Sequence, residues 1–521
     1  MRFMFVDDIY EEIKTKEDFA RANRETLYGI LKDNKDTEYG IKNGFADIKD
    51  DKEYADRVPV SGFSDYEDYI DRMVAGEKDL ITAYPVYSLL KTSGSTGKNK
   101  LIPITEKAFA ACGDLPDRYQ LLHNDECGGK RLFLTFLVVD LNKDPGEAPT
   151  YLSSAYYRSL YDRGRFVSKT LAGGVELTFF PVVCDFMYVK LWTAFATEDI
   201  TSIESVFLYD NLVFFHRMEE EYNQILDDME AGRVPEEAGL PDAMKEALLA
   251  LPVSPERIAY VRRECDRGFE GIAKRLWRDL SLISGISSKA FQVEEISSKK
   301  YLGDIPIWYF FYGTTECFMA IPLSTDTYDY ILYPGLGYYE LREEKTDRFV
   351  DMAELKEGEC YEIVITNFSG FYRYAMGDIL EFRGYHEGYP VVRYMYRRSL
   401  MMNIIGEKID MATLDLAVRT FSEKMDIPVW QYSFYEDYAQ MPACYHGIIA
   451  LDAEVSGAEA EYGNALDAIL RSLSTDYNES RDLGEIGMAK IEIVDKDGFL
   501  KMREERNLDK GQSKPQHIWR N

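Results

Sequence analysis

Six consecutive residues, Thr92-Ser93-Gly94-Ser95-Thr96-Gly97, offer nothing large enough to pack into a core, and lysines stand on both sides at 91, 98 and 100. A backbone this bare can bend sharply and bring its N–H groups close to an anion. Gly94 and Gly97 permit that approach, Ser93, Ser95 and Thr96 add hydroxyl donors, and Lys98 or Lys100 adds positive charge. The next residues, 101–105, return to strand-like alternation. Such a loop suits a polyphosphate. It is not a Walker A loop, whose spacing is G-x-x-x-x-G-K followed by Ser or Thr. Here only Ser95 and Thr96 lie between the glycines and Asn99 follows Lys98, so a P-loop kinase or NTPase is disfavoured. Taken alone, the run also fits a Ser/Gly surface turn.

The formal net charge is −30. A field of that sign repels polyanions and argues against nucleic acid or an anionic membrane as partner. Any nucleotide must therefore be held by a local nest. No stretch reaches the roughly 18 apolar residues of a membrane span, and no charged-then-apolar leader is present. The richest run, 132–139, has the length of a strand. Seven cysteines are scattered without CxxC pairs and five histidines without metal-site spacing. That pattern suits a reducing compartment and argues against structural zinc. A cytosolic protein is expected.

At 521 residues the chain exceeds the roughly 250–300 at which a single core stops growing, so more than one domain is expected. The first ninety or so residues read as helical. Runs 132–139 and 177–183 read as buried strands, continuous enough in apolarity for a sheet covered on both faces. Met218, Tyr222, Ile225, Leu226 and Met229 recur at helical spacing before Gly232 and Pro235, the pattern of a core-facing helix. From Tyr301 to Arg383 the chain turns strand-rich. Beyond Arg398 a strand at 447–451, a helix at 458–473 and a strand at 488–494 suffice for a small α+β unit. The expected division is a large domain over 1–397 and a small one over 398–521, joined by a short hinge.

Two further motifs carry chemistry. Tyr312-Gly313-Thr314-Thr315-Glu316 follows the aromatic run 307–311, at a strand end where ligands gather in α/β sheets. Tyr312 can stack on adenine, Thr315 can bond phosphate, and Glu316 can hold Mg²⁺, a hard cation that takes oxygen ligands. In the stretch 370–378, Asp378 follows Gly377 and can accept both ribose hydroxyls, with Arg373 nearby as a phosphate or carboxylate partner. Arg397-Arg398 falls at the domain junction, where a guanidinium can reach the nucleotide as domains close, and Lys514 sits in a Gly511-Gln512-Ser513-Lys514 run near the end of the chain. Either charge also fits a solvated surface.

TSGSTGKNK, then YGTTE, then YRYAMGD, then the arginine pair, then GQSK: this order resembles the adenylate-forming superfamily of acyl and aryl ligases. The closer likeness is to the auxin-responsive-promoter (Gretchen Hagen type) acyl acid-amido synthetase family. It runs nearly end to end, through VPVSGFSDYEDYIDRMVAGE, ELKEGECYEIVITNFSGFYRYAMGD and LSTDYNESR. The resemblance implies an α/β protein with a large N-terminal domain of mixed sheets, helices and a β-barrel-like part. A small α+β C-terminal domain would swing between half-reactions. It implies Ser93, Ser95, Thr96 and Lys100 in the phosphate loop, Thr315 and Glu316 in the nucleotide and Mg²⁺ motif, Asp378 on the ribose and Lys514 on the C-terminal loop, beside the Gly94, Gly97 and Tyr312 already read from the residues. Lys514, Arg398 and Thr96 are the expected catalytic set. Thr314-Thr315 stand where plant members commonly have two serines, which keeps the hydroxyls.

The implied reaction is attack of a small carboxylate on the α-phosphorus of ATP, giving acyl-AMP and pyrophosphate. An amine, the natural choice being an amino acid, then takes the acyl group. Rival readings are an acyl-CoA ligase using the same first step and a nucleotide-sensing protein without turnover. A monomer or weak homo-oligomer is expected.

Overall fold

A capping box opens the first helix, α1 (Lys16–Asn34): the Thr15 hydroxyl accepts from the Asp18 N–H while the Asp18 carboxylate accepts from the Thr15 N–H. The computed structural model describes residues 13–91, 100–113, 115, 123, 126–166, 170–287, 292–398, 401–405, 407, 409–451, 459–506 and 516–519. Strands β1 (Val86–Lys91) and β2 (Leu101–Thr105) pair antiparallel on either side of segment 92–99, and Thr105 caps the next helix, α2 (Glu106–Cys112). The segments Ser93–Gly97 and Lys514 of the sequence reading lie outside the described residues.

A parallel sheet follows: β3 (Lys130–Phe133), helix α3 (Phe186–Ala196), β4 (Ile200–Phe207), helix α4 (Tyr209–Ala231), β5 (Leu282–Ile286), helix α5 (Gln292–Leu302) and β6 (Ile307–Trp308). Its four strands lie side by side in chain order, every pair parallel. Parallel neighbours require long crossovers, which the helices supply. Residues 200–206 are all buried, as a sheet covered on both faces demands. The apolar run 132–139, read from sequence as one strand, is divided. Leu132 and Phe133 belong to β3, whereas Leu137 and Val138 pair with Phe179 and Phe180 in a separate two-stranded sheet. Between them the Thr135 hydroxyl accepts from the Val206 N–H at 2.7 Å, taking the bond that a continuing ladder would use.

Next comes an antiparallel sheet of eight strands: β7 (Tyr312–Gly313), β8 (Phe318–Pro322), β9 (Asp329–Leu332), β10 (Tyr338–Glu343), β11 (Phe349–Val350), β12 (Cys360–Thr366), β13 (Tyr374–His386) and β14 (Tyr389–Arg397). Its order is β11-β10-β12-β13-β14-β9-β8-β7, and it takes the position of the expected barrel-like part. After it, α6 (Met411–Met425), β15 (Val429–Asp437), β16 (Cys444–Leu451), α7 (Glu459–Leu473), β17 (Lys490–Val494) and α8 (Lys496–Glu505) build a three-stranded mixed sheet with its helices. Leu414, Val418, Phe421, Tyr432 and Leu466 share a core of their own there, but Trp430, Phe499 and Trp519 join the main core. Among the described residues no helix is long and apolar enough to cross a membrane.

On α3, Lys190 is only 2% exposed; its ammonium donates to the Leu177 carbonyl at 2.8 Å and lies over the Phe180 ring. Burial pulls its pKa from 10.5 down to about 7. Between about pH 7 and about pH 10 the unfolded chain therefore holds a proton that the folded chain has released, and stability rises with pH across that window. Below about pH 7 the cost of the buried charge is fully present. Lys190→Met is expected to stabilise the protein by ~1–3 kcal/mol at pH 6.5, a gain that shrinks toward pH 9.5. Urea denaturation at the two pH values checks this; a gain that grows with pH would contradict it.

Candidate active site

Glu316 lies at the tip of a hairpin. β7 and β8 pair antiparallel, with Gly313 opposite Phe318, and the tip is closed by the Thr314 N–H donating to the Cys317 carbonyl at 2.9 Å. Gly313 is required: a Cβ there would lie 2.9 Å from the Phe311 ring and 3.1 Å from the Cys317 carbonyl oxygen. The tip is tucked inward, leaving Glu316 9% exposed. Tyr374 donates its hydroxyl to Glu316 Oε1 at 3.3 Å, and Asn367 Nδ2 donates to the Glu316 carbonyl at 2.7 Å. Thr314 and Thr315 are partly exposed; the Thr314 hydroxyl itself is buried with no hydrogen-bond partner among the described residues.

Asp378 stands on β13 with 1% exposure. Arg397 grips it with both arms, Nε at 2.5 Å from Oδ1 and Nη2 at 3.1 Å from Oδ2, and Tyr312 donates its hydroxyl to Oδ2 at 2.9 Å. The hairpin register makes this pair. Glu387 and Gly388 form the connection with φ of +46° and +87°, the left-handed values of a type I′ turn. Two irregularities between β13 and β14 cancel, so Asp378 still faces Arg397. Burial opposes the charge on Arg397, but Asp378 foremost, with Tyr394 and Glu316 behind it, outweighs burial and lifts the guanidinium pKa well above its ordinary value. Burial, then Asp378, raises the Tyr312 pKa; burial, then Glu316, raises that of Tyr374. Both phenols stay protonated donors at working pH.

The loop-bearing strand joins the same place. Ile104, Ala108 and Cys112 from β2 and α2 line a narrow cleft together with Glu316, Asn367 and Ser369. The Thr105 hydroxyl donates to the Phe368 carbonyl at 3.1 Å. Lys100, at the foot of segment 92–99, holds its ammonium 4.6 Å from the centroid of the Phe63 ring.

Three sequence readings change. Arg398 faces away from Asp378: as the residue after Arg397 it emerges on the other face of the strand, where it meets Glu362 at 3.2 Å and the Glu344 carbonyl. Arg373 is buried, bonded to Glu340 and to the carbonyls of Ala55 and Val58, and so is a clamp between chain segments rather than a phosphate partner. The Tyr312 ring is buried beside Tyr330 and Tyr394, with its hydroxyl serving Asp378. Tyr374 and Asn367 carry no signal in the sequence reading, which names the Arg397-Arg398 pair but takes Arg398 as the catalytic member. Counting back from the Glu387-Gly388 turn would have found Arg397.

Family comparison agrees with this layout. The GH3 family N-terminal domain matches residues 10–307, its central domain 330–397 and its C-terminal domain 412–521. The chain belongs to the GH3 family. Similar proteins include the indole-3-acetic acid-amido synthetase GH3.8 of Oryza sativa subsp. indica, 26% identical over 91% of this chain and 83% of that one. The jasmonoyl–L-amino acid synthetase GH3.5 of Oryza sativa subsp. japonica is 25% identical over 92% and 88%. The solved AtGH3.15 acyl acid amido synthetase in complex with 2,4-DB superposes with TM-score 0.84 at 25% identity, covering 98% of this chain and 93% of that one. A 2-hydroxyisobutyryl-CoA ligase in complex with 2-HIB-AMP shares the fold at TM-score 0.56 and 13% identity, over 96% and 94%. This GH3 chain thus shares an α/β fold with both structures.

The two arginines separate by stability alone. Arg397→Met leaves Asp378 buried and unpaired and is expected to cost ~3–5 kcal/mol. Arg398→Ala leaves Glu362 still paired with Arg342 at 2.6 Å and is expected to cost under ~1 kcal/mol. Chemical denaturation of both variants checks the assignment; equal losses would refute it.

Proposed function

We propose that this GH3 protein is an ATP-dependent acyl acid-amido synthetase. It would adenylate a small carboxylic acid, release pyrophosphate, and pass the acyl group to an amine, an amino acid being the acceptor that fits the names of its relatives. The observation that carries this is that Glu316 and the strand leaving segment 92–99 line one cleft, while Asp378 is tied to the Glu316 hairpin through the Tyr312 hydroxyl. Asp378 spends three hydrogen bonds on Arg397 and Tyr312, and a carboxylate offers about four lone-pair sites, so one ribose hydroxyl, not both, can still be accepted. Glu316 has one oxygen engaged among the described residues, and Thr314 and Thr315 precede it in the same hairpin turn. That is a hard oxygen set, and it fits Mg²⁺. When bound, Mg²⁺ supplies charge neutralisation on the phosphates.

The chain's own work is positioning. Arg397 and Tyr312 hold Asp378 and aim its oxygens. Tyr374 and Asn367 hold Glu316. The donors of Ser93, Gly94, Ser95, Thr96 and Gly97, with Lys100 at their foot, would cradle phosphate, and Lys514 would bring a mobile charge to the reacting phosphate. We take 398–521 as the unit that moves between half-reactions and shields acyl-AMP from water. A cytosolic monomer or weak homo-oligomer fits the net charge and the seven scattered cysteines.

Carboxylate-dependent ATP–pyrophosphate exchange across a panel of acids tests the reading, repeated with amino acids or coenzyme A and mass analysis of the product. Exchange and an amide product are expected, with Glu316→Gln slowing exchange by ~10²–10³-fold. A thioester product would move the protein to the CoA ligases. Nucleotide binding without exchange would make it a sensor.

A further inference from the structure

One buried amide joins the motifs to each other. Asn367 is 3% exposed and follows β12. Its Nδ2 donates to the Glu316 carbonyl at 2.7 Å, while its Oδ1 accepts from the Ser369 N–H at 2.9 Å and the Phe371 N–H at 3.1 Å. Its own N–H donates to the Phe371 carbonyl at 2.9 Å. The side chain therefore closes the turn 367–371 and, with the same amide, fixes the main chain of Glu316. That turn is held from two more directions. The Thr105 and Thr82 hydroxyls donate to the Phe368 carbonyl. Gly370, at φ +96°, lets the chain pass where a Cβ would come within 2.6 Å of the Ile81 carbonyl oxygen. Three residues beyond the turn, Tyr374 reaches back to the Glu316 carboxylate, and Asp378 follows on the same strand.

We propose that Asn367 is a positioning residue of the adenylation site: its Nδ2–H bond to the Glu316 carbonyl sets where the Glu316 carboxylate stands relative to the nucleotide-binding strand β13. The assignment deepens the adenylation reading and rests on it. A carboxylate that must meet a hard cation and phosphate oxygens at fixed distances tolerates little drift of its main chain. The residue type matters in both halves. Only an amide donates to one carbonyl while accepting from two N–H groups at the other end. An ionised Asp keeps the acceptors but sets an anion against the Glu316 carbonyl. A protonated Asp restores a donor.

The test uses Asn367→Asp and Asn367→Ala in the full chain, each also in the Glu316→Gln background, with pyrophosphate exchange measured against Mg²⁺ and ATP. The Mg²⁺ concentration for half-maximal exchange is expected to rise about tenfold in both single variants, corresponding to about 1.4 kcal/mol. Melting of Asn367→Asp, which keeps the turn's acceptors but places an anion against a carbonyl, is expected to fall at neutral pH and to recover as pH falls. Its exchange is expected to recover toward wild type as pH falls, because the carboxylic acid can donate to the Glu316 carbonyl. In the Glu316→Gln background the Asn367 substitutions are expected to add little, since they act through Glu316. An active wild type whose Asn367 variants keep their Mg²⁺ dependence overturns the assignment, and so does a defect of the same size in the Glu316→Gln background. A wild type without carboxylate-dependent exchange overturns the adenylation reading itself, and the assignment with it.

Discussion

The pair of Asp378 and Arg397 is the interaction on which the site is built. A buried carboxylate is tolerated only when its charge is matched and its oxygens are bonded, and Asp378 has both from two neighbours on adjoining strands. The pair depends in turn on the register of a long hairpin, so a slip of one residue would bring Arg398 in place of Arg397 and turn it to the wrong face. Tyr312 connects the pair to the hairpin whose tip carries Glu316, and Tyr374 connects β13 to the same carboxylate. Two acids of like charge thus occupy one neighbourhood, with a single guanidinium placed to feel both.

How much of this was legible follows from the kind of signal each residue leaves. The Glu316 motif and Asp378 could be read because a glycine, a carboxylate and an aromatic run at fixed spacing are local facts, and the hairpin tip and strand that carry them are local structures. The parallel sheet could be read only in part: of the two apolar runs, 132–139 gives it Leu132 and Phe133 and 177–183 lies outside it, while the buried strand at 200–206 carries Thr201, Ser202, Glu204 and Ser205 and so shows no apolar run. The division of 132–139 could not, because it turns on one threonine hydroxyl meeting a strand some seventy positions away. Asn367 and Tyr374 escaped notice for the same reason: an asparagine or tyrosine inside a strand-rich region looks like any other until its partner across the chain is known.

The choice between Arg397 and Arg398 was a matter of parity. Both sit at the end of the same strand, and a charge count treats them alike. Alternation sends one to Asp378 and the other to Glu362 and Glu344, so their neighbours differ completely although their positions differ by one. Arg373 shows the converse. It stands within the motif that carries Asp378, yet it is turned to Glu340 and two carbonyls of the N-terminal region, where it binds chain segments together.

Arg397 is also the last residue of β14, so the group that holds Asp378 adjoins the segment leading to residues 411–505. Those residues are not loosely attached. Trp430 packs against Phe499 and against His216 of α4, Arg503 lies over the Tyr209 ring, and the Ser297 hydroxyl donates to the Val429 carbonyl. Beside them His216 stands 3.4 Å from Glu220 and 3.9 Å from Asp497, one imidazole between two carboxylates from different helices. Any large rotation of the C-terminal part must break these contacts, so the aromatic seam of Trp430, Phe499 and His216 opposes it.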